Sequence, residues 1–162
     1  AAMQQGLEER LGSEGYEHYE TSAFARPRQR CRHNLNYWTF GDYLGIGAGA
    51  HSKLSFHDRI VRQMRVKHPA QYLQGVERGE HIAETRVISR QELPFEFMMN
   101  ALRLNEGFPA ALFAQQTGLP LTACLAALHK AEEKGLLERD ANTIRPSAQG
   151  RRFLNELLLL FL

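Results

Sequence analysis

After Leu93 the chain is punctuated in a way that few folds satisfy. Phe95, Met98, Met99 and Leu102 stand at i, i+3, i+4 and i+7, one apolar stripe of an α-helix. Gly107-Phe108-Pro109 ends that helix and opens a second through Thr117, with Pro109 suited to a first turn, where its missing N–H is not needed. Gly118-Leu119-Pro120 makes another turn, and Thr122 is placed to cap a third helix reaching Lys134. Gly135-Leu136-Leu137-Glu138-Arg139, a turn at Asp140-Ala141-Asn142 and Thr143-Ile144-Arg145 predict a small hairpin, after which Ser147 caps a last helix. Helix, helix, helix, hairpin, helix is the order of a winged helix. The apolar run Leu157–Leu162 continues at helical spacing from Phe153 and Leu154, which predicts a docking C-terminal helix. At six residues it falls far short of a membrane span, which needs roughly 20.

The stretch before Leu93 is less regular. Residues 4–12 predict an amphipathic helix ended by Gly12, and Ala1-Ala2-Met3 leads into it like a helix entered midway, as in a piece of a longer chain. A strand is expected at Tyr16–Glu20, a polar loop at Arg26–His33 and a short aromatic segment at Asn34–Trp38. Gly45, Gly47 and Gly49 alternate within Asp42–Ser52. On a buried strand that alternation removes the side chains from one face, so that a ligand or another backbone can approach it. A helix is expected near Pro69–Arg78. The joint between the halves falls within 82–92, which gives an α+β chain of two parts, 1–85 and 86–162.

The 162 residues, 43% hydrophobic and 23% charged, are enough for a real core. Formal net charge is +2, and basic residues exceed acidic ones by only 11 to 9 up to residue 81 and balance at 9 to 9 beyond it. Nothing in that distribution attracts DNA or an anionic membrane. The third helix, with His129, Lys130 and Lys134 against Glu132 and Glu133 and alanines at 123, 126, 127 and 131, is nearly neutral and better suited to packing than to a DNA groove. Two cysteines, Cys31 and Cys124, are too few for a disulfide scaffold or a self-contained zinc or iron–sulfur site, so a reduced, cytoplasmic chain is the default.

Seven histidines are scattered with no HExxH spacing. His33 stands apart, between Cys31 and Asn34 and close to Tyr37 and Trp38, where a neutral imidazole beside flat apolar side chains can ligate haem iron. Cys31 is a rival ligand. Arg26, Arg28, Arg30 and Arg32 alternate just before it; guanidinium forks pair bidentately with carboxylates or phosphates, porphyrin propionates among them, although a solvated loop needs the same residues. Gly45-Ile46-Gly47-Ala48-Gly49 has neither the third glycine of a dinucleotide loop nor the lysine of a P-loop.

Three segments together resemble a known family. Gly15–Pro27, Cys31-Arg32-His33-Asn34-Leu35-Asn36-Tyr37-Trp38 with its HNxxYW pattern, and Tyr43-Leu44-Gly45-Ile46-Gly47-Ala48-Gly49-Ala50-His51-Ser52 are similar to stretches of the oxygen-independent coproporphyrinogen III oxidase-like radical SAM proteins. HNxxYW is typical of their haem chaperone (HemW-type) branch. The later half, including Gly135-Leu136-Leu137 and Pro146–Gly150, resembles the winged-helix-like HemN C-terminal domain. Two departures are Thr21, where an apolar β-branched residue is usual, and Arg28, where glycine commonly follows the proline.

The resemblance implies that 1–85 are the last strands and helices of a partial radical SAM (β/α) barrel and 86–162 the appended domain. It implies a longer parent with S-adenosylmethionine, a 4Fe–4S cluster and haem, which it hands to acceptor haemoproteins, with no nucleic-acid partner. Gly47, Gly49 and Ala50 would border the S-adenosylmethionine or substrate cavity, and His33, Tyr37 and Trp38 would hold haem. The runner-up is the oxidase, which decarboxylates coproporphyrinogen propionates oxidatively. Residues 1–162 lack the family's CxxxCxxC and any catalytic residue, so this segment alone is expected to be inactive. Anaerobic reconstitution of residues 1–162 with iron and sulfide should leave no stoichiometric cluster, measured by iron content and the visible charge-transfer bands.

Overall fold

The structure, a computed structural model, describes residues 2–162 and divides into two compact units. Residues up to Phe40 pack with Pro94–Leu162, and Gly41–Leu93 form the second unit. The first segment opens with α1 (Ala2–Ser13), a largely exposed helix steadied by its own i,i+4 pairs, Gln4 with Glu8, Gln5 with Glu9 and Arg10 with Glu14. An antiparallel hairpin follows, β1 (Glu17–Glu20) and β2 (Ala23–Ala25), with a bulge between His18 and Glu20. The loop after Ala25 is shorter than expected: Arg32 and His33 already belong to α2 (Arg32–Trp38).

In the second unit, β3 (His51–Ser55), β4 (Ile60–Arg65) and β5 (Ile82–Ile88) form an antiparallel sheet in the order β3-β4-β5, with α3 (Pro69–Arg78) between the last two strands. The turn at Phe56–Arg59, closed by the Phe56 N–H on the Arg59 carbonyl at 2.8 Å, is one that only an antiparallel pair can use. All neighbouring strands here are antiparallel, so this unit shows no parallel βα repeat. Residues 42–50 depart from the expected strand. They form a loop with a single bridge at Tyr43, and β3 begins only at His51. The reach 82–92, expected as a joint, carries β5; its side chains are mostly exposed up to Ile88, so it lacks the alternation that marks a strand in sequence.

The remaining elements return to the first unit. α4 (Leu93–Ala101) forms where expected, but its buried face runs through Leu93, Phe97, Met98 and Ala101, and of the expected stripe Phe95 and Met99 are only half-buried. β6 (Phe108–Pro109) leads into α5 (Ala110–Thr117), so Pro109 stands at the N-cap rather than in the first turn. Thr122 caps nothing: it lies inside a 3₁₀ turn, Leu121–Cys124, and α6 (Leu125–Glu133) starts after Cys124, whose side chain is buried. β7 (Leu137–Arg139) and β8 (Thr143–Pro146) form the expected hairpin, with β6 on the other side of β8. Gly107 is required there, because its φ is +78° and a Cβ would run into the Ile144 carbonyl. Ser147 does cap α7 (Ala148–Arg152), accepting the Gly150 N–H at 2.9 Å. α8 (Leu154–Leu158) and a 3₁₀ turn at Leu159–Phe161 dock through Leu157 and Phe161.

Among the described residues no single helix is long and apolar enough to cross a membrane. The pair Ala110–Thr117 and Leu121–Glu133 reaches that threshold only together, bent by 102°, and buries Phe113, Leu128 and Ala131 in the core.

Four phenylalanines organise that core. Phe97, fully buried, meets Phe40, Phe108 and Phe113 edge-to-face at centroid distances of 5.6, 5.2 and 5.2 Å. Phe40, just beyond α2, is thereby fixed to α4, β6 and α5. Phe97→Ala should destabilise the protein by about 3–5 kcal/mol, read from the denaturant midpoint.

Candidate functional site

The HNxxYW segment folds as α2, and helical spacing splits it into two i,i+4 pairs on different faces. Asn34 and Trp38 form the inner pair. Asn34 Nδ2 donates to the hydroxyl of buried Tyr19 at 3.3 Å, and the Arg103 guanidinium lies 4.4 Å over the Trp38 ring. His33 and Tyr37 form the outer pair. His33 is exposed, and its ring meets Tyr37 edge-on at 4.8 Å. Tyr37 and Trp38 are tilted at 55° to one another, 6.3 Å apart, so they do not make one flat wall. Cys31, free and exposed, precedes the helix.

The four arginines of the loop have separate fates. Arg30 is already engaged: its Nη1 and Nη2 donate to the two oxygens of Glu106, both at 2.6 Å, and its Nη2 to Glu17 at 2.9 Å. The hydrogen bond to Glu106 drives the Arg30 pKa still higher, against the opposing effect of burial, and the same bond lowers that of Glu106. Arg26 rests over the Tyr16 ring at 5.3 Å. Arg28 has φ +66° in a turn closed by the Gln29 N–H on the Arg26 carbonyl, at the place where a Pro-initiated turn favours glycine. Arg26, Arg28 and Arg32 are exposed and have no carboxylate partner among the described residues.

The glycine loop belongs to the sheet unit. Odd positions from 41 to 49 are half-buried and even ones exposed, so the alternation holds although the strand does not. The loop amides are spent on the protein. The Gly45 N–H donates to Ser52 Oγ at 2.9 Å, Gly47 to the Tyr72 hydroxyl at 3.1 Å, Gly49 to the Val66 carbonyl at 2.9 Å, and Ala50 to the Gly47 carbonyl at 3.2 Å. Gly47, with φ +106°, needs glycine for its backbone. These donors are unavailable to a phosphate; the loop presents bare backbone at its glycines and exposed Leu44 and Ile46 between them. Its ends are clasped by buried Lys53, whose Nζ meets Asp42 Oδ1 and Ser55 Oγ, each at 3.0 Å. Burial raises the Asp42 pKa, but hydrogen bonds from Ser55 and Lys53 outweigh it and hold the carboxyl below its ordinary range.

Sequence reasoning overlooked Arg103, Asn34, Tyr72 and Lys53. Only the i,i+4 spacing of Asn34 and Trp38 signalled any of them in advance. Among the described residues no three His, Cys, Asp or Glu side chains gather as a metal set. Cys124 is buried, and that burial pushes its thiol up to about 11. Neither cysteine has a second thiol beside it to hold a cluster, whereas His33 is an exposed imidazole of the kind that can ligate haem iron.

Residues 88–153 match the HemN C-terminal domain, so the chain carries the domain that defines the end of HemN-like proteins. It is homologous to the haem chaperones of that group. The sequence is 43% identical over 153 residues to Heme chaperone HemW of Escherichia coli (strain K12), covering 94% of this chain and 39% of that protein. It is 44% identical over 149 residues to Heme chaperone HemW of Haemophilus influenzae, covering 91% and 38%. The chain thus spans about two fifths of the length of these relatives. The solved structure of coproporphyrinogen III oxidase (HemN) from Escherichia coli, described there as a radical SAM enzyme, matches 98% of this chain and 39% of its own with a TM-score of 0.66 and 20% identity. That likeness shows the mixed α/β fold of the HemN C-terminal region.

The two thiols should separate cleanly. In the folded protein an aromatic disulfide reagent should titrate Cys31 alone, and Cys124 should react only after denaturation; Cys31→Ser should remove the fast phase.

Proposed function

We propose that this chain is the C-terminal part of a cytoplasmic haem chaperone that binds haem and delivers it to acceptor haemoproteins. One observation carries the reading: on α2, exposed His33 meets half-buried Tyr37 edge-on at 4.8 Å, and the segment leading into and opening that helix carries Arg26, Arg28 and Arg32, all exposed. His33 supplies the iron ligand and Tyr37 an aromatic flank. Trp38, beneath Arg103, serves the site by holding the helix. Arg26, Arg28 and Arg32 take the propionates, and Arg30, paired with Glu106 and Glu17, fixes the loop that presents them. Charge-assisted hydrogen bonds of this kind are worth about 1.5–3 kcal/mol each where partly desolvated.

In the longer parent, residues 1–85 would adjoin the end of the radical SAM barrel through the antiparallel β3-β4-β5 sheet, and 86–162 would form the winged-helix-like domain. S-adenosylmethionine and a 4Fe–4S cluster would there supply radical chemistry, with the cluster's ligands outside this chain. Gly47, Gly49 and Ala50 would contribute a wall with no side chain larger than a methyl to the S-adenosylmethionine or substrate cavity. Identity of 43% to a protein named as a haem chaperone supports this reading over the oxidase.

The test is a haem titration of the full-length protein against His33→Ala and Cys31→Ser. His33→Ala should lower affinity at least tenfold, about 1.4 kcal/mol, and shift the Soret band, while Cys31→Ser leaves both unchanged. Wild-type affinity and spectrum in His33→Ala would show that the ligand lies elsewhere.

A further inference from the structure

A helix of seven residues, such as α2, cannot hold itself in water, and the direction in which its outer face points depends on what grips the inner one. Beside the Asn34–Tyr19 hydrogen bond, one residue from beyond α4 grips that face. Arg103, just beyond α4, lays its guanidinium over the Trp38 ring at 4.4 Å and donates from Nη2 to Ser22 Oγ at 3.1 Å. The same Nη2 lies 3.9 Å from the Glu20 carboxylate, whose side chain is 2% exposed. The Arg103 carbonyl accepts from both the N–H and the hydroxyl of Thr21, at 3.0 and 3.3 Å. One residue thus joins the β1–β2 hairpin, the end of α4 and the inner face of α2.

The stack is dry. Trp38 Nε1 and Arg103 Nε are both buried and have no hydrogen-bond acceptor, so shape, charge and π-contact hold the two groups together in place of hydrogen bonds between them. A planar guanidinium can lie on the ring and reach Ser22 and Glu20 at once. An ammonium can do only one of these.

We propose that Arg103 is the positioning residue of the haem face: clamped between Trp38 and the β1–β2 hairpin, it fixes the rotation of α2 about its axis and so the direction of His33 and Tyr37. The inference rests on the reading of His33 as the iron ligand. It gives the C-terminal domain a part in haem binding without any contact to haem.

The experiment compares full-length wild type with Arg103→Gln, Arg103→Lys, Trp38→Phe and His33→Ala by haem titration, Soret position and electron paramagnetic resonance of the ferric complex. Arg103→Gln should weaken haem roughly tenfold and replace one ligand-field signature by a mixture, because His33 no longer presents a single geometry. Arg103→Lys should fail to rescue either readout, and Trp38→Phe, which keeps a ring under the cation, should retain the single signature. A purely structural role would lower the melting temperature while leaving the signature of the bound haem single.

Wild-type affinity and signature in both Arg103 variants, with binding lost in His33→Ala, overturn the positioning role and leave the haem reading standing. Unchanged binding in His33→Ala overturns both. Should Arg103→Gln not fold, Arg103→Lys decides alone, wild-type behaviour there again overturning the proposal.

Discussion

Phe97 is the point on which the helical unit depends. Its ring is fully buried against Phe108 and Phe113 from the next two elements and against Phe40, which is 57 residues earlier in the chain. Edge-to-face packing of four rings is directional as well as apolar, so it sets the angles between elements and not merely their proximity. Phe40 adopts φ +60°, uncommon for a residue with a Cβ, and the cost of that backbone is offset by a side chain that is almost wholly buried. The chain therefore turns sharply at the end of α2 because the core demands it. The motif helix is placed from its C-terminal end by the same cluster that places α4, α5 and β6.

Around that apolar centre, two arginines tie the same segments by polar means and in opposite directions. Arg30 reaches from the loop before α2 to Glu106 in the later segment, with Glu17 on its other side. Arg103 reaches back from the later segment to Trp38, Ser22 and Glu20. The backbone reinforces both, through the Thr21 N–H on the Arg103 carbonyl and the Asn105 N–H on the Tyr19 carbonyl. The first 40 residues are thus built into the same body as the HemN C-terminal domain, although more than 50 residues of chain separate them. Chain order alone would assign them to the preceding part.

What could be read in the sequence follows from what each pattern encodes. The helix α4, the β7–β8 hairpin, the Ser147 cap and α3 are legible, because periodicity and capping are local, although the buried face of α4 is turned away from Phe95 and Met99. Thr122 misled, because a 3₁₀ turn uses the same short polar residues as a helix cap and only the burial of Cys124 decides between them. β5 was missed as an exposed strand whose register is set by β4 rather than by its own alternation. The glycine run was read as a strand because its alternation is real; the positive φ at Gly47 and Gly49, which forbids a strand, cannot be seen in composition. In the candidate site, the i,i+4 geometry of His33 with Tyr37 was present in the letters. Arg103 lies 65 positions beyond Trp38, and no local rule connects them.

A carrier must release what it binds, and the geometry around α2 bears on how it would do so. An enclosed pocket secures haem by burying both faces of the ring and makes release slow. Here the outer face of α2 offers one exposed imidazole, one aromatic edge and charged groups on a turn. On the haem reading, affinity then comes mainly from one coordinate bond and from propionate pairing, both of which a competing ligand and a competing cationic surface on an acceptor can replace step by step. Arg28 suits that task. It stands at the tip of a turn with φ +66°, where glycine would be easier, so the turn presents a guanidinium at the expense of backbone comfort. The inner side of the helix is held in the opposite manner, by the Arg103 stack on Trp38 and, two residues beyond Trp38, by Phe40 in the ring cluster. On the haem reading, a firmly attached inner face and replaceable outer contacts would let α2 stay in place while haem leaves.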